Sequence, residues 1–338
     1  MPRLLLIVLS FLHLTSNLQA QQPFKYYTEA FDLRYHQKQP IVNYTLIVDK
    51  ADLNAFTVEM RIRNGGDSFQ VAMFTHPEYD EKYWRQIEQL QVESSKGKAQ
   101  IKREDSALWS IKAPGGEAVI RYRMRLPSES NGQRAAWRLF LTPTGGLIGG
   151  PYTYLYIVGN TLAPSHVTVQ LPQGWEAATA LHRTSIPSIF FAPSVAVLMD
   201  GPILIGTFKK WSFTVDDVPH QVVYWPLPNN IPFDTSGLVT DIQKLVQQAA
   251  ALFGRLPYRE YYFLLQDGAY GALEHANSVT LGAPGEQLAK DKTWLLSELA
   301  HEYFHAWNLM RIRPAEYGDV SYKKPPLSKG LWFSEGLT

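Results

Sequence analysis

The residues best suited to chemistry are His301-Glu302-Tyr303-Phe304-His305, the pattern H-E-x-x-H. On a helix, residues four apart lie on one face, so His301 and His305 can hold one zinc ion together. Glu302, next to the first ligand, then projects beside the metal, where it can polarise a bound water and act as general base. Zinc lowers the pKa of such a water to about 7, making hydroxide available at neutral pH. The bland alternative is a core helix with two incidental histidines. A catalytic zinc needs a third protein ligand while one position stays open. Glu335, in Leu331-Trp332-Phe333-Ser334-Glu335-Gly336-Leu337-Thr338 and thirty residues beyond His305, offers that ligand.

Such side chains need elements to carry them. Asp291 to Leu309 reads as a helix, with Asp291 as cap and Leu295, Leu296, Leu299 and Phe304 as a buried stripe. Trp294, Glu298, His301, His305 and Asn308 share another face. Upstream, Val222 to Trp225 and Arg259 to Leu265 read as strands. Between them, Leu238, Ile242, Leu245, Val246, Ala249 and Phe253 place a helix over Ser236 to Phe253, with Asp234, Thr235 or Ser236 to cap it and Gly254 to end it.

The chain before this mixed half reads as β. Phe56, Val58, Met60 and Ile62 alternate with Thr57, Glu59, Arg61 and Arg63; Ile120, Tyr122, Met124 and Leu126 alternate with Arg121, Arg123 and Arg125. Val167, Val169 and Leu171 repeat the pattern, while Pro114-Gly115-Gly116 and the run from Pro143 to Pro151 punctuate it. Tyr79 to Gln91 is the exception, expected as a short helix. The fold class expected is multidomain β plus α+β. Residues 21–216 form a β-sandwich-like domain, Asp216-Asp217 is the linker, and residues 217–338 carry the site.

Three segments resemble one family. His301 to Pro314, H-E-Y-F-H-A-W-N-L-M-R-I-R-P, looks like the zinc helix of the glycyl aminopeptidase family, and so does L-W-F-S-E-G-L-T at the end. These are gluzincins, the metallopeptidases whose third zinc ligand is Glu. Gly271-Ala272-Leu273-Glu274-His275, with Ser278, resembles the family's G-x-L-E-H segment, which lies on an edge strand upstream of the zinc helix. The motifs cover a small part of the chain and occur in the family's order. The resemblance implies a thermolysin-like zincin domain behind a β-rich one. It also implies one zinc per chain on His301, His305 and Glu335, and an aminopeptidase preferring N-terminal Gly or Ala.

By the same resemblance, Glu274 contacts the α-ammonium group of a peptide substrate. Gly271, Ala272 and His275 sit on the strand that aligns the peptide by β-augmentation. Met310 departs from the family, where a basic residue usually follows W-N-x. Family members continue with further helices and usually a PDZ domain, so the zincin domain is expected to be truncated after Thr338, short of the transition-state donor. The alternatives are a gluzincin endopeptidase and a non-catalytic binding protein with a degenerate zincin fold. A silent binding module has no reason to keep Glu302.

Composition narrows the remaining classes. Lys plus Arg number 32 against 31 Asp plus Glu, so a net charge near +1 gives no electrostatic reason to expect nucleic acid or an anionic membrane as partner. The absence of cysteine excludes disulfides, thiolate metal sites and a Cys nucleophile. Arg3, the apolar run from Leu4 to Leu14 and Leu18-Gln19-Ala20 read as a signal peptide over residues 1–20, for export to the periplasm or cell exterior. That run is too short to span a bilayer, and no later segment is apolar for long enough, so no stable membrane insertion is expected after cleavage. Oligomeric state stays open. No G-x-S-x-G elbow or phosphate loop is present. Arg311 and Arg313 read as a solvated helix end, and Lys323-Lys324 as an exposed loop.

Overall fold

The computed structural model describes residues 40–75, 82–127, 134–314, 317, 321 and 328–338. The signal peptide at 1–20, the first residues of the expected Tyr79 helix and Lys323-Lys324 lie outside them.

Period-two patterning builds the first half. A seven-stranded sheet runs in the order His182–Arg183, Ile189–Ala192, Ser165–Gln170, Ile41–Ile47, Ala55–Arg63, Ala118–Arg125 and Ile87–Glu93. All neighbours are antiparallel except Ile41–Ile47 with Ser165–Gln170. Its alternation is the expected one. Val58, Met60 and Ile62 are buried with Ile120, Tyr122 and Met124, while Glu59 on the other face pairs with Arg61 and Arg121 at 2.7 and 2.6 Å. Two four-stranded antiparallel sheets complete this half, and most of its buried side chains join one core.

Two local expectations give way. Tyr83–Gln86 is a short 3-10 turn and Ile87–Glu93 is the sheet's last strand, not a helix. Pairing along the open edge of Ala118–Arg125 outweighs local helical spacing there. The glycine-rich run after Pro143 also forms a strand, Gly145–Gly149, rather than a mere turn. A Cβ on Gly145 would stand 2.4 Å from the Ile205 carbonyl oxygen, so only glycine admits that neighbour.

The second half is a five-stranded sheet in the order Lys209–Val215, Val218–Trp225, Tyr261–Gln266, Ser278–Gly282 and Ala272–Glu274. Its three inner strands are parallel and both edges antiparallel. Asp216 and Asp217, expected as a linker, have φ of 49° and 59° and form the two-residue turn of the first hairpin. The sheet of the second half therefore begins at Lys209.

Both faces of this sheet are covered, which explains why every residue of Tyr261–Gln266 is buried. Val222, Tyr224, Phe263, Leu265, Val279 and Leu281 pack against helices. Val223, Trp225, Tyr262 and Leu264 pack against Phe140, Leu147 and Leu204 of the first half. The long helix Thr235–Phe253 buries Leu238, Ile242, Val246 and Ala250. Asp234 caps it, accepting the Gly237 amide at 2.9 Å, and Gly254 ends it in the left-handed conformation at φ 77°. No helix among the described residues is long and apolar enough to cross a membrane.

Candidate metal centre

The motif helix spans Thr293–Phe304 and packs against the strands Ala272–Glu274 and Ser278–Gly282. Lys292, not Asp291, stands at its N-cap, and Asp291 just before it accepts the Thr293 amide at 2.8 Å. It is shorter than the Asp291 to Leu309 helix expected. Beyond His305 the chain turns, and Leu309 adopts φ 130°, a costly conformation for a branched residue. Asn308 consequently leaves the helical face it was expected to share with His301 and instead sits under the site.

The helix's inner face holds Leu295, Leu299 and Tyr303. Tyr303 was not foreseen as buried, and its hydroxyl explains how it can be. The imidazole of His220 donates through Nδ1 to the Val218 carbonyl at 2.9 Å, which leaves Nε2 to accept from the Tyr258 hydroxyl at 3.0 Å. Tyr258 in turn is hydrogen-bonded to the Tyr303 hydroxyl. Burial holds the His220 imidazole down to about 4, so it is neutral at physiological pH.

The three expected metal ligands meet. His301 Nε2 lies 3.1 Å from His305 Nε2 and 3.1 Å from Glu335 Oε2, and His305 Nε2 lies 3.6 Å from the same carboxylate oxygen. A tetrahedral zinc site with bonds of about 2.0–2.1 Å has ligand-to-ligand edges of about 3.3 Å. The triangle fits. His305 is 2% exposed, whereas His301 and Glu335 are 36% and 44% exposed, so one side of the triangle opens to solvent.

Asn308 organises two of the three expected ligands. Its carbonyl accepts from His305 Nδ1 at 2.8 Å, which fixes the tautomer with its Nε2 lone pair towards the triangle. Its side-chain amide donates to the Ser334 carbonyl at 2.9 Å and to Thr338 Oγ1 at 3.0 Å, anchoring the helix Leu331–Leu337 that carries Glu335. Burial lowers the pKa of His305, against the raising effects of the Asn308 carbonyl and Glu335. The neutral imidazole thus favoured is the form that ligates metal. Glu302 is half-buried on the same helix, one residue after the first ligand.

The G-x-L-E-H segment divides between two faces. Ala272–Glu274 is the edge strand of the five-stranded sheet, as expected. Ala272 packs with the helical core, and Glu274, two residues on and buried, lies on that same face. Leu273 and His275 face the first half, where with Trp137 and Tyr152 they line a small gap of about 10 Å³. His275 is turned away from Glu274 and bound to Asp200, with Nδ1 3.0 Å from its Oδ1. Gly271 has φ 67°, and a Cβ on it would stand 2.8 Å from Trp137. Sequence reasoning missed Asp200, a lone acid in the first half with no motif around it. Arg311, read from the sequence as a solvated helix end, instead has its guanidinium hydrogen-bonded to backbone carbonyls.

A parallel-cored sheet with an antiparallel edge, an H-E-x-x-H helix beneath it and a distal Glu on a later helix together define the gluzincin class. A family model for the peptidase M61 N-terminal domain matches residues 43–207, and one for the M61 glycyl aminopeptidase matches residues 294–338. The chain belongs to the M61 glycyl aminopeptidase family. Among solved structures it is similar to an aminopeptidase N family protein from Idiomarina loihiensis, with a TM-score of 0.80 at 22% identity. The match covers 88% of this chain and 53% of that one, so the chain spans about half the length of that structure. An M1 zinc metallopeptidase from Deinococcus radiodurans aligns at a TM-score of 0.46 and 12% identity, over 80% of this chain and 65% of that one. A search of curated proteins found no match.

Proposed function

We propose that this chain carries the metal site of an exported zinc aminopeptidase that removes small N-terminal residues, glycine and alanine, from peptides. The observation that carries the reading is the His301–His305–Glu335 triangle, whose edges of 3.1, 3.1 and 3.6 Å suit tetrahedral zinc. Family membership supports the peptidase chemistry and the small first residue, and the pattern over residues 1–20 supports export.

His301, His305 and Glu335 would hold the ion. Zinc bound there supplies a Lewis acid that polarises a carbonyl and lowers the pKa of water to about 7. Glu302 accepts the proton of the attacking water and delivers it to the leaving amine as the peptide C–N bond breaks, so no proton is left over. Glu274, buried on the edge strand beside the motif helix, receives the substrate's α-ammonium group. A buried carboxylate selects a cation, and so restricts cleavage to chain ends.

The test is zinc stoichiometry in the full-length protein, together with cleavage of glycine and alanine aminoacyl reporters by wild type and by Glu302→Ala. One zinc per chain in both, with turnover lower by about 10²–10⁴-fold in the variant, is the expected result. Absence of zinc, or cleavage of N-blocked and free peptides alike, would overturn it.

A further inference from the structure

We infer that Arg311 and Asp200 are positioning residues that hold the turn after Glu274 in register with the metal-binding helix. The inference rests on the reading of Glu274 as the ammonium-binding group. Ala272–Glu274 is only three residues long and, among the described residues, pairs on one side only, with Ser278–Gly282. A carboxylate that must meet its ligand to within about 0.5 Å needs firmer support than that short ladder gives.

The support comes from the turn at His275, Ala276 and Asn277. From the first half, Asp200 Oδ2 accepts the Ala276 amide at 2.8 Å, while its Oδ1 takes His275 Nδ1 at 3.0 Å. Asn277 Nδ2 adds a bond to the Ala180 carbonyl at 3.2 Å. From the other side, Arg311 Nη1 donates to the Ala276 carbonyl at 2.5 Å and to the Ala306 carbonyl at 2.9 Å, and Nη2 donates to the Pro257 carbonyl at 2.8 Å. Ala306 directly follows the second histidine. One guanidinium therefore ties the end of the metal helix to the turn two residues beyond Glu274.

Local geometry makes this reach possible. With Leu309 at φ 130°, the chain folds back so that the Met310 amide meets the His305 carbonyl at 3.0 Å and the Arg311 amide meets the Trp307 carbonyl at 3.1 Å. The planar fork of an arginine can serve three carbonyls at fixed angles, which the point charge of a lysine cannot. Both hydrogen-bonding groups of residue 276 are thereby satisfied, the amide from the first half and the carbonyl from beyond the metal helix.

The experiment compares two zinc-directed inhibitors on the full-length protein. Acetohydroxamate reports the metal alone, and glycine hydroxamate reports the metal and an ammonium site at a fixed distance. Wild type should prefer glycine hydroxamate. In Arg311→Lys that preference should fall by about tenfold or more, the scale on which small misplacements act. Zinc should stay at one per chain and acetohydroxamate affinity within about twofold, showing that the metal site is folded. Asp200→Ala should lose the preference likewise, and Asp200→Asn, which keeps an acceptor for the Ala276 amide, should lose less. A preference unchanged in Arg311→Lys would overturn the inference, as would an equal weakening of both inhibitors. A wild type without the preference would overturn the role of Glu274 itself, and the inference with it, in a result visible before any variant is made.

Discussion

His301 and His305 meet because they are four residues apart on one helix, while the turn after Glu274 is held by Asp200, 76 residues before Ala276, and Arg311, 35 residues after it. The two regions lie side by side and face one proposed substrate, yet they are built differently. The metal pair needs only helical backbone and a later carboxylate. The proposed ammonium-binding region needs the first half of the chain to dock on the sheet and the helix end to fold back. Metal binding should therefore tolerate damage elsewhere, whereas amine recognition should depend on long-range packing.

The largest separation of the two is expected from His305→Ala. Losing a direct ligand should reduce zinc affinity by more than the 10–100-fold typical of outer-sphere partners. The denaturant midpoint of the metal-free protein should stay near wild type. Zinc titration with a competing chelator checks the first point, and a parallel unfolding at equimolar chelator checks the second. A metal-free variant that unfolds would show that the pair is not locally autonomous.

Next in size is Asn308→Ala, which should weaken zinc by about 10–100-fold, because it removes the side-chain anchor of the Glu335 helix. Its carbonyl still orients His305, so part of the site survives. The preference for glycine hydroxamate over acetohydroxamate should be unaffected, the converse of Arg311→Lys. If both variants alter both readouts, the regions are one cooperative unit and the contrast fails.

The smallest effect concerns the support behind the metal helix. His220 has an ordinary value of 6.5 and is held down to about 4 by burial. The unfolded chain takes up this proton near pH 6.5 and the folded chain only near 4. Its contribution to stability is therefore present above pH 6.5 and is lost as pH falls from 6.5 to about 4. At 1.36 kcal/mol per pH unit the loss is at most about 3 kcal/mol. Protonated Nε2 can no longer accept from Tyr258, which is the structural form of the cost. Urea midpoints across that range should slope for wild type and flatten for His220→Gln; parallel slopes would remove His220 from the account.

Much of this was legible in residues. The alternation of Val58, Met60 and Ile62 predicted a strand, and the spacing of Leu238, Ile242 and Val246 predicted a helix ended by Gly254; both stand in the structure, which picks Asp234 from the three possible caps. Other readings failed for one shared reason, that neighbours distant in sequence decided them. Ile87–Glu93 became a strand because an open sheet edge met it. Asp216-Asp217 looks like a linker until the strands on either side pair. His275 sits beside Glu274 in sequence, yet it belongs to the turn after the strand and is held by Asp200 of the first half.

The sequence by itself determined the chemistry on offer: an H-E-x-x-H pair, a distal Glu335, and the helices and strands whose periods of 3.6 and 2 are set by backbone geometry. Tertiary structure alone decided that Glu335 reaches the histidine pair, that Asn308 serves two ligands at once, and that Asp200 and Arg311 share one peptide unit. Periodicity is a property of neighbours along the chain and can be read there. Which surfaces meet depends on the packing of the whole sheet and the two halves around it, and a lone Asp or Arg carries no local sign of the carbonyl or amide it will find.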